Sequence, residues 1–478
     1  MLALVSFVFI VVRATRTVDP YWDTLAYHWP YAARVAGLCD RDCYSMTVGM
    51  EGRFDGFPLL LHAAQGWLWR LTGTPGLGDL INIAMLLVLG GYLRYRFEVP
   101  LAWSWLAFLA IPEVQVQLTS SYIDVPVNAA ATLALMVLLR MVVHPDADQR
   151  ADVAVALAAL GVAAGSKYQM VPIALATWLT IVLLATWKPS MIRLQRRYAS
   201  FALLSAAGIL VLLPKLTLNA IAFGNPFYPM DVVLGPIHFA GPESMASTNS
   251  VSEAWAASSR PLRWLASVTE FDAFRGRALP WTIGQGDVAQ SSPSFRMGGY
   301  FVPYVLGAIV LIGWSVRSTV AARWVAAMIL ALSLMCAWLP GSHELRYYLF
   351  WMLTLVSCML ALVHSSGFAN PLQTMQRAVT HALVAIAALS VVTMTGAAYL
   401  RPSGRTLAKL TEHTDAVVAQ VPEGGTLCIF SDDPRKAFLY SSVFHSPRRY
   451  RTRSLDEESA DGNAEGNADC AVRLRPDR

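Results

Sequence analysis

Charged side chains are scarce in this sequence. Only 14% of the residues are Asp, Glu, Lys or Arg, whereas 55% are hydrophobic. That composition lies outside the range of soluble globular domains and inside the range of proteins that cross a membrane several times. The sequence therefore excludes a soluble fold and predicts a protein whose core lies in lipid.

Motifs of soluble nucleotide chemistry are also missing. The chain contains no Gly-rich phosphate loop and no Asp-x-Asp pair, so it offers no site for a soluble nucleotide sugar. Its net charge of +5 comes from Lys and Arg residues that are dispersed between apolar stretches. Because they form no basic stripe interleaved with stacking aromatics, we expect no nucleic-acid partner.

Cysteine is infrequent, and none of the six cysteines has the spacing of a zinc site. Cys336 and Cys358 lie in apolar stretches, where a buried thiol is the ordinary interpretation. The other four are Cys39, Cys43, Cys428 and Cys470. In an oxidising compartment Cys39 could pair with Cys43, and Cys428 with Cys470, but spacing alone does not decide either pairing.

Apolar stretches long enough to cross a bilayer recur along the chain. They lie at about 79–97, 100–118, 122–142, 151–166, 168–187, 199–222, 300–316, 321–340, 346–364 and 379–399. The run from Met1 to Val12 would make an eleventh, although at about 1.5 Å per residue it covers only about 18 Å. Either Arg13 and Arg16 extend to the interface, or the run begins upstream; a cleaved signal peptide fits less well. The pattern predicts a polytopic α-helical membrane protein with about 11 transmembrane helices.

Basic residues fall in alternate short connections, which the positive-inside rule places in the cytoplasm. They are Arg94, Arg96, Arg140, Arg150, Lys188, Arg193, Arg196, Arg197, Arg317, Arg323 and Arg377. The segments 18–78 and 223–299 then face outward, and the aromatics of 223–299 predict amphipathic helices. Residues 1–399 would form the membrane module, and 400–478 a small outward α/β domain. Within that domain we expect a helix near 406–421, a strand at 426–430 and a disordered acidic end.

Asp23 stands in the first outward segment, among aromatic side chains. Asp19 followed by Pro20 is a good helix start, so 20–36 is predicted to be a helix on the outer membrane surface. On such a helix Asp23 and Tyr27 share a face. The rings of Trp22, Tyr27, Trp29 and Tyr31 would suit the headgroup zone, and an anchor helix whose acids merely face water is the alternative.

Five short motifs follow one another on the predicted outward side. They are Trp22-Asp23-x-x-x-Tyr27-His28-x-Pro30, Phe57-Pro58-Leu59-Leu60-Leu61-His62, Tyr122-Ile123-Asp124-Val125-Pro126, Gly224-Asn225-Pro226-Phe227-Tyr228-Pro229 and Leu345-Arg346-Tyr347-Tyr348. In this order the chain resembles the GT-C fold glycosyltransferases, and in particular the bacterial protein mannosyltransferase and lipid A aminoarabinose transferase group, similar to glycosyltransferase family 39. The resemblance covers nearly the whole chain.

The resemblance implies an inverting glycosyltransferase of the bacterial inner membrane. Such enzymes move a sugar from a polyprenyl phosphate carrier to an acceptor hydroxyl on a lipid, glycan or protein at the outer face. Asp23 matches the family's first-loop acid and would be the catalytic base. Asp124 fits the second acid better than Glu113 does. A divalent cation, Mg or Mn, shared by Asp23 and Asp124 is one possible partner for Asp124, and a basic side chain or the acceptor hydroxyl is another.

The leaving group would be a phosphate, which calls for fixed cations. Arg346 matches the family's Arg-Tyr position and its planar fork suits phosphate oxygens, although snorkelling to the interface would also explain it. Lys167 is the second candidate. Further candidates for substrate contact are Tyr27, His28, Asn225, Tyr228, His343, Glu344 and Tyr347. For Asn225 and Tyr228, a proline-framed turn is an equal explanation.

A transporter or flippase for a lipid-linked sugar is the alternative function. Proteins of that class place ionisable groups near the middle of the membrane, along the path of the substrate. Here the central parts of the apolar stretches are almost free of charge, and Asp23, Asp124, Lys167 and Arg346 are predicted to lie at one face. This distribution favours an enzyme whose site lies at the membrane surface.

Overall fold

The computed structural model describes residues 1–20, 22–188, 197–244, 258–269, 271–272, 277–278, 301–339, 345–368, 372–394, 406–431, 437–455 and 470–475. Its α-helices are Leu2–Arg16, Trp29–Val35, Val48–Gly56, Leu60–Thr72, Leu80–Phe97, Leu101–Leu109, Pro112–Gln117, Asp124–Val143, Arg150–Ala164, Val171–Trp187, Arg197–Leu212, Pro214–Phe223, Arg260–Thr269, Gly307–Val316, Val320–Trp338, Leu349–His364, Gln373–Met394 and Leu407–Val418. Short π-helical turns span Thr24–His28 and Phe301–Leu306, and 3₁₀ turns include Pro75–Asp79, Tyr168–Met170 and Leu345–Tyr348.

Five helices of the described residues are long and apolar enough to cross a membrane. They are Pro75–Phe97, Asp124–Val143, Tyr168–Trp187, Val320–Trp338 and Arg346–His364. A sixth arises if Tyr198–Leu212 and Pro214–Phe223, bent by 59° at their junction, form one span. The expected count of about eleven is not confirmed. Part of the reason is local: the predicted span 100–118 is broken before Pro112, because a proline cannot continue a helix without losing a hydrogen bond.

Two helices form the centre of the bundle. Residues 124–137 of one and 349–363 of the other are buried throughout. Thr132 Oγ1 donates a hydrogen bond to the backbone oxygen of Phe350 at 3.2 Å, which pins the two helices to one another. Helices 80–97, 150–164, 171–187 and 320–338 pack around the first of them. This order places the beginning of both central helices at the same end of the bundle.

Large apolar side chains cover the outside of the bundle. Leu179, Leu210, Leu330, Ile386 and Leu389 are each more than half exposed. A water-soluble monomer rarely exposes so many large apolar side chains, whereas lipid tails solvate them at no cost. The arrangement therefore fits helices whose outer faces contact the hydrocarbon of a bilayer.

One sheet contains strands from two distant parts of the chain: the segment that follows the helix Leu2–Arg16, and the C-terminal tail. The strands are β1 Tyr44–Ser45, β2 Met230–Leu234, β3 Ile237–Phe239, β4 Glu243–Ser244, β5 Phe271–Asp272, β6 Arg277–Ala278, β7 Thr426–Phe430, β8 Arg451–Leu455 and β9 Val472–Leu474. Four of them form a parallel sheet in the order β1-β8-β7-β9. The predicted strand at 426–430 and the helix before it are confirmed, and the tail shares its sheet with the first segment.

A second hydrophobic core lies between this sheet and the helix Trp29–Val35. Trp29 is 3% exposed and stands 6.0 Å from the ring of Trp69, while Tyr31 is fully buried. The expectation that these two rings lie in the headgroup zone was therefore wrong, because packing against the tail buries them inside the protein. The helix is also not a surface anchor: residues 24–26 and 28–33 are buried.

Both cysteine pairings that spacing left undecided are present in the structure. Cys39 bonds Cys43 and Cys428 bonds Cys470. Cys336 and Cys358 are buried free thiols in the bundle, as expected. The first disulfide closes the turn before β1, and the second joins β7 to Cys470, which lies two residues before β9.

The second long segment contains both strands and a helix. β2 pairs with β3 and β4 directly after the bent helix pair. The helix Arg260–Thr269 is amphipathic, and Trp264 packs edge-on against Trp351 at 5.5 Å. This helix matches the predicted type, while Trp255 and Trp281 lie outside the described residues.

Candidate active site

Four stretches of irregular or tightly wound backbone meet at one end of the bundle. They are the π-helical turn Thr24–His28, the start of the helix Asp124–Val143, the turn before Tyr168 and the 3₁₀ turn Leu345–Tyr348. Each stretch brings a charged side chain with it: Asp23, Asp124, Lys167 and Arg346. The predicted gathering of these four groups at one face is what the structure shows.

Asp23 pairs with Arg346. Arg346 Nη1 donates to Asp23 Oδ2 at 3.0 Å, across a sequence separation of 323 residues. The side chain of Asp23 is 14% exposed and that of Arg346 is 25% exposed, so solvent reaches the pair. A guanidinium beside a carboxylate holds it in a fixed orientation through a charge-assisted hydrogen bond.

Asp124 pairs with Lys167. The carboxylate is 2% exposed and accepts a hydrogen bond from Lys167 Nζ, whose side chain is 16% exposed. Of the three partners considered for Asp124, the structure supplies the basic side chain. Because an unpaired buried carboxylate is strongly disfavoured, the ammonium group of Lys167 stabilises the buried carboxylate of Asp124.

The ring of Tyr347 lies between the two pairs. Lys167 Nζ is 4.8 Å from its centroid and Arg346 Cζ is 4.9 Å from it. Arg346 Nη2 also donates to the Tyr347 hydroxyl at 3.1 Å. Each cation is attracted to the electron-rich ring face, which lets two positive charges lie close to one another. The four charges and Tyr347 therefore form one continuous cluster.

Two phenols surround Asp23. Tyr27 is on the following turn, and its pKa is raised well above the ordinary value by burial first and then by the charge of Asp23. Burial and Asp23 likewise raise the pKa of Tyr122. Both hydroxyls stay protonated at any physiological pH, so they are hydrogen-bond donors beside a negative charge and cannot themselves serve as bases.

His28 lies behind Tyr27 and not on the surface of the site. It is 2% exposed, its ring is 4.3 Å from that of Tyr27, and its Nδ1 is 2.8 Å from Nε2 of His62. Burial lowers the pKa of His28, and it lowers that of His62 to about 3, so the pair is neutral. The predicted direct contact between His28 and substrate does not fit this burial. The ring of His28 packs against that of Tyr27 instead.

Asn128 is a residue of the site that sequence reasoning missed. It lies one turn after Asp124, donates to the backbone oxygen of Asp124 at 2.7 Å and to that of Arg346 at 3.3 Å, and accepts from the backbone nitrogen of Phe350 at 2.8 Å. Its amide thus fixes the turn that carries Arg346 to the helix that carries Asp124. A lone amide inside an apolar helix was the available signal.

Comparison with known proteins finds solved structures of similar fold. No protein-family profile matches the chain, and no curated protein matches it. Among solved structures, ArnT from Cupriavidus metallidurans in the apo state matches with a TM-score of 0.54 and 15% identity, over 99% of this chain and 88% of that one. The same protein bound to undecaprenyl phosphate matches with a TM-score of 0.53 and 16% identity, over 94% of this chain and 84% of that one.

The chain has the fold of ArnT. The predicted resemblance to the GT-C fold, and to the lipid A aminoarabinose transferases within it, is confirmed at the level of architecture. Together with the apolar helices and their apolar outer faces, this fold indicates a helical protein embedded in a membrane. At this low sequence identity the structural match shows the fold alone. The chemistry has to be inferred from the residues of the candidate site.

Two predicted substrate-binding residues lie in a neighbouring loop of the ArnT fold. The amide nitrogen of Asn225 donates to the backbone oxygens of Met230, at 2.8 Å, and of Ala240, at 3.0 Å, and its oxygen accepts from Phe227 N at 2.8 Å. The ring of Tyr228 stacks on Phe223 at 3.8 Å. Their contacts match the alternative of a proline-framed turn. His343 and Glu344 lie outside the described residues.

The donor set of the cluster does not fit a divalent cation. Asp23 and Asp124 each accept from a basic side chain, and both cations lie against Tyr347. Mg or Mn bound between the acids would have to displace these partners and then face two positive charges at short range. Among the described residues, no group of three or more His, Cys, Asp or Glu side chains could hold a metal.

Proposed function

We propose that this protein is an inverting glycosyltransferase that moves a sugar from a polyprenyl phosphate carrier to an acceptor hydroxyl. The observation that carries the proposal is the cluster of two carboxylate–cation pairs on either side of Tyr347, at the rim where membrane helices end. A donor with an apolar chain needs lipid, while its phosphate and the acceptor need water. A site at the helix ends meets both needs.

Asp23 is the base in this mechanism. As the acceptor oxygen attacks the anomeric carbon, its proton passes to the carboxylate of Asp23, and the bond between that carbon and the phosphate oxygen breaks. A single displacement inverts the configuration at the anomeric carbon. The raised pKa values of Tyr27 and Tyr122 keep both hydroxyls protonated. Of these three side chains, Asp23 is therefore the one that can accept the proton.

Arg346 and Lys167 act on the leaving phosphate. The departing oxygen takes the electron pair of the broken bond, so negative charge grows on the phosphate during the reaction. Two cations held 4.8 and 4.9 Å from one ring are positioned to neutralise that charge without moving. Undecaprenyl phosphate, which ArnT binds in one solved structure, is a ligand of this class and supports the proposal.

Two observations support an outward-facing site at the bacterial inner membrane. Both disulfides lie in or next to the sheet that packs against the segment following Asp23, and disulfides persist in oxidising compartments outside the cytoplasm. Arg96 and Arg140 lie at the other end of the helices, as the positive-inside rule expects for the cytoplasmic end. In this orientation the tail and the second long segment face the exterior together with the site.

Sugar transfer by the purified protein in lipid vesicles tests the proposal. A panel of polyprenyl phosphate sugars is offered with lipid, glycan and peptide acceptors, and the parent is compared with Asp23→Asn, Arg346→Ala and the control Asp146→Asn, which neutralises an exposed acid at the far end. We expect Asp23→Asn to lower kcat about 10²- to 10⁴-fold and the control to leave it unchanged.

A different result would overturn the assignment. If Asp23→Asn turns over at the parental rate, Asp23 is not the base. If no donor is consumed while labelled polyprenyl phosphate sugar crosses the bilayer at equal rates in both variants, the protein is a flippase for a lipid-linked sugar.

A further inference from the structure

The chain just before Asp124 is irregular and completely buried. Residues 118–123 separate the helix Pro112–Gln117 from the helix that begins at Asp124, and all six are buried. Irregular backbone at the edge of a membrane bundle leaves carbonyl groups without helical partners, and each one is costly unless another group satisfies it. The conformation of this turn decides in which direction the side chain of Asp124 points.

Two amides from other parts of the chain satisfy those carbonyls. Asn82 Nδ2 donates to the backbone oxygens of Gln117, at 3.0 Å, and Ser120, at 2.8 Å. Gln65 Nε2 donates to the backbone oxygen of Ser121 at 2.9 Å. Both amide side chains are at most 4% exposed. Buried polar side chains are therefore used to fix this one turn from two sides.

A third interaction connects the turn to the segment that carries Asp23. Ser121 Oγ donates to Asp79 Oδ1 at 2.8 Å and accepts from Trp29 Nε1, also at 2.8 Å. Ser121 precedes Asp124 by three residues, and Trp29 follows Asp23 by six. One hydroxyl thus joins the two stretches of chain that bear the two acids, and Asp79, itself 1% exposed, orients that hydroxyl.

We propose that Asp79 is a positioning residue, which sets the placement of Asp23 relative to Asp124 through Ser121 and Trp29. The role rests on the proposed function, because placement matters only if both acids serve one reaction. With its hydrogen directed to Asp79, the Ser121 hydroxyl presents a lone pair to the indole N–H of Trp29. Without that carboxylate the hydroxyl rotates, and the helix Trp29–Val35 loses its polar contact with the turn.

Three variants test the role by steady-state kinetics on the folded fraction. Asp79→Ala removes the acceptor, Ser121→Ala removes the hydroxyl, and Asp79→Asn keeps an oxygen that can accept from Ser121. We expect both alanine variants to lower kcat about ten- to a hundredfold with KM nearly unchanged, since small displacements of catalytic groups have effects of that size. Asp79→Asn should restore most of the rate. The double alanine variant should match either single one, because both changes break one chain of contacts.

A matched control removes a buried hydroxyl elsewhere. Ser315 is 1% exposed and accepts from Gln376 at 3.2 Å, at the end of another helix of the bundle. Ser315→Ala should leave kcat unchanged. If Asp79→Ala and Ser121→Ala likewise reduce only the folded fraction and leave kcat of the remainder intact, the role is structural and the proposal is overturned; Ser121→Ala decides alone if Asp79→Ala does not fold.

Hydrogen exchange separates failure of this inference from failure of the proposed function. In the parent, peptides that cover 118–124 should exchange slowly, and Asp79→Ala should accelerate exchange there and in 22–35 while leaving 150–164 unaffected. This readout needs no turnover. If the parent transfers no sugar from any donor, the proposed function fails, and unchanged exchange in Asp79→Ala would then overturn the positioning role as well.

Discussion

The two ends of the membrane bundle differ in how many partners surround each acidic side chain. At the end far from the site, Asp152 is 1% exposed and forms an ion pair with Arg96 Nε at 2.9 Å. It also accepts hydrogen bonds from Arg140 Nε and from the Tyr92 hydroxyl, each at 3.2 Å. Both of its oxygens are used, and every donor comes from a regular helix. This cluster fastens the helices 80–97, 124–143 and 150–164 to one another.

The site end has charges of the same kinds in a looser arrangement. Among the described residues, Asp23 and Asp124 each accept from a single cation, and all four groups stand on turns or at a helix start. Arg140 follows Asp124 by sixteen residues of one helix (140 − 124), or about 24 Å. The same types of residue therefore make one cluster with three partners around a single acid at the far end, and two separate carboxylate–cation pairs at the site end.

The largest contrast should come from removing Lys167. Lys167→Met leaves the buried carboxylate of Asp124 unpaired, which should lower the free energy of unfolding by about 3–5 kcal/mol and abolish transfer. The double variant Lys167→Met/Asp124→Asn should regain most of the stability and stay inactive. Chemical unfolding in mixed micelles and transfer assays measure the two effects. An active double variant would show that this pair is only a clamp, like Asp152 and its arginines.

Neutralising Asp152, at the end far from the site, should lower the stability of the protein without lowering its catalytic rate. Asp152→Asn keeps an oxygen that accepts one hydrogen bond, so we expect the free energy of unfolding to fall by about 1–3 kcal/mol. The rate per folded molecule should not change, because the cluster lies far from the site. A fall in kcat of the folded enzyme, at unchanged stability, would contradict the division between the two ends.

The sequence predicted the fold class and the grouping of four charged residues, but not the packing of distant segments against one another. Asp23, Asp124, Lys167 and Arg346 could be found because charge is rare in an apolar chain and therefore conspicuous. The burial of Trp29 and the shared sheet could not, since β1 has two residues and its partner strand lies some 400 positions later. Long-range pairing of this kind leaves no local pattern. The expected helix count is not confirmed, in part because hydropathy does not show where a proline divides a span.

The neutral histidine pair at the site end predicts a smaller, pH-dependent effect. The pKa of His62 is about 3 in the folded protein, below its ordinary value of 6.5, because the ring is buried. Between these values the unfolded chain binds more protons, so stability is complete above about pH 6.5 and falls as the pH decreases towards 3. The slope approaches about 1.4 kcal/mol per pH unit for each such histidine.

Substitution should reduce that slope only at the buried pair. His62→Gln should flatten the decline in unfolding free energy between pH 6.5 and 4.5, whereas His413→Gln, on an exposed face of the tail helix, should not. Thermal unfolding of the three proteins across this range is the measurement. Identical pH profiles for the parent and His62→Gln would show that the pair is not neutral in the folded state.

The smallest effect should be that of metal removal. Because Lys167 and Arg346 already neutralise the two acids, a chelator such as EDTA should leave kcat within about twofold of its untreated value, since divalent cations prefer sites with uncompensated oxygen ligands. Assays with EDTA, and with Mg or Mn added back, provide the measurement, and Lys167→Met is the useful companion, because it frees one acid. Loss of activity on chelation, restored by either metal, would mean that the acids exchange their basic partners for a cation during turnover. The two ends of the bundle would then differ even more: the arginines around Asp152 would be permanent, and the cations of the site would be displaced in each catalytic cycle.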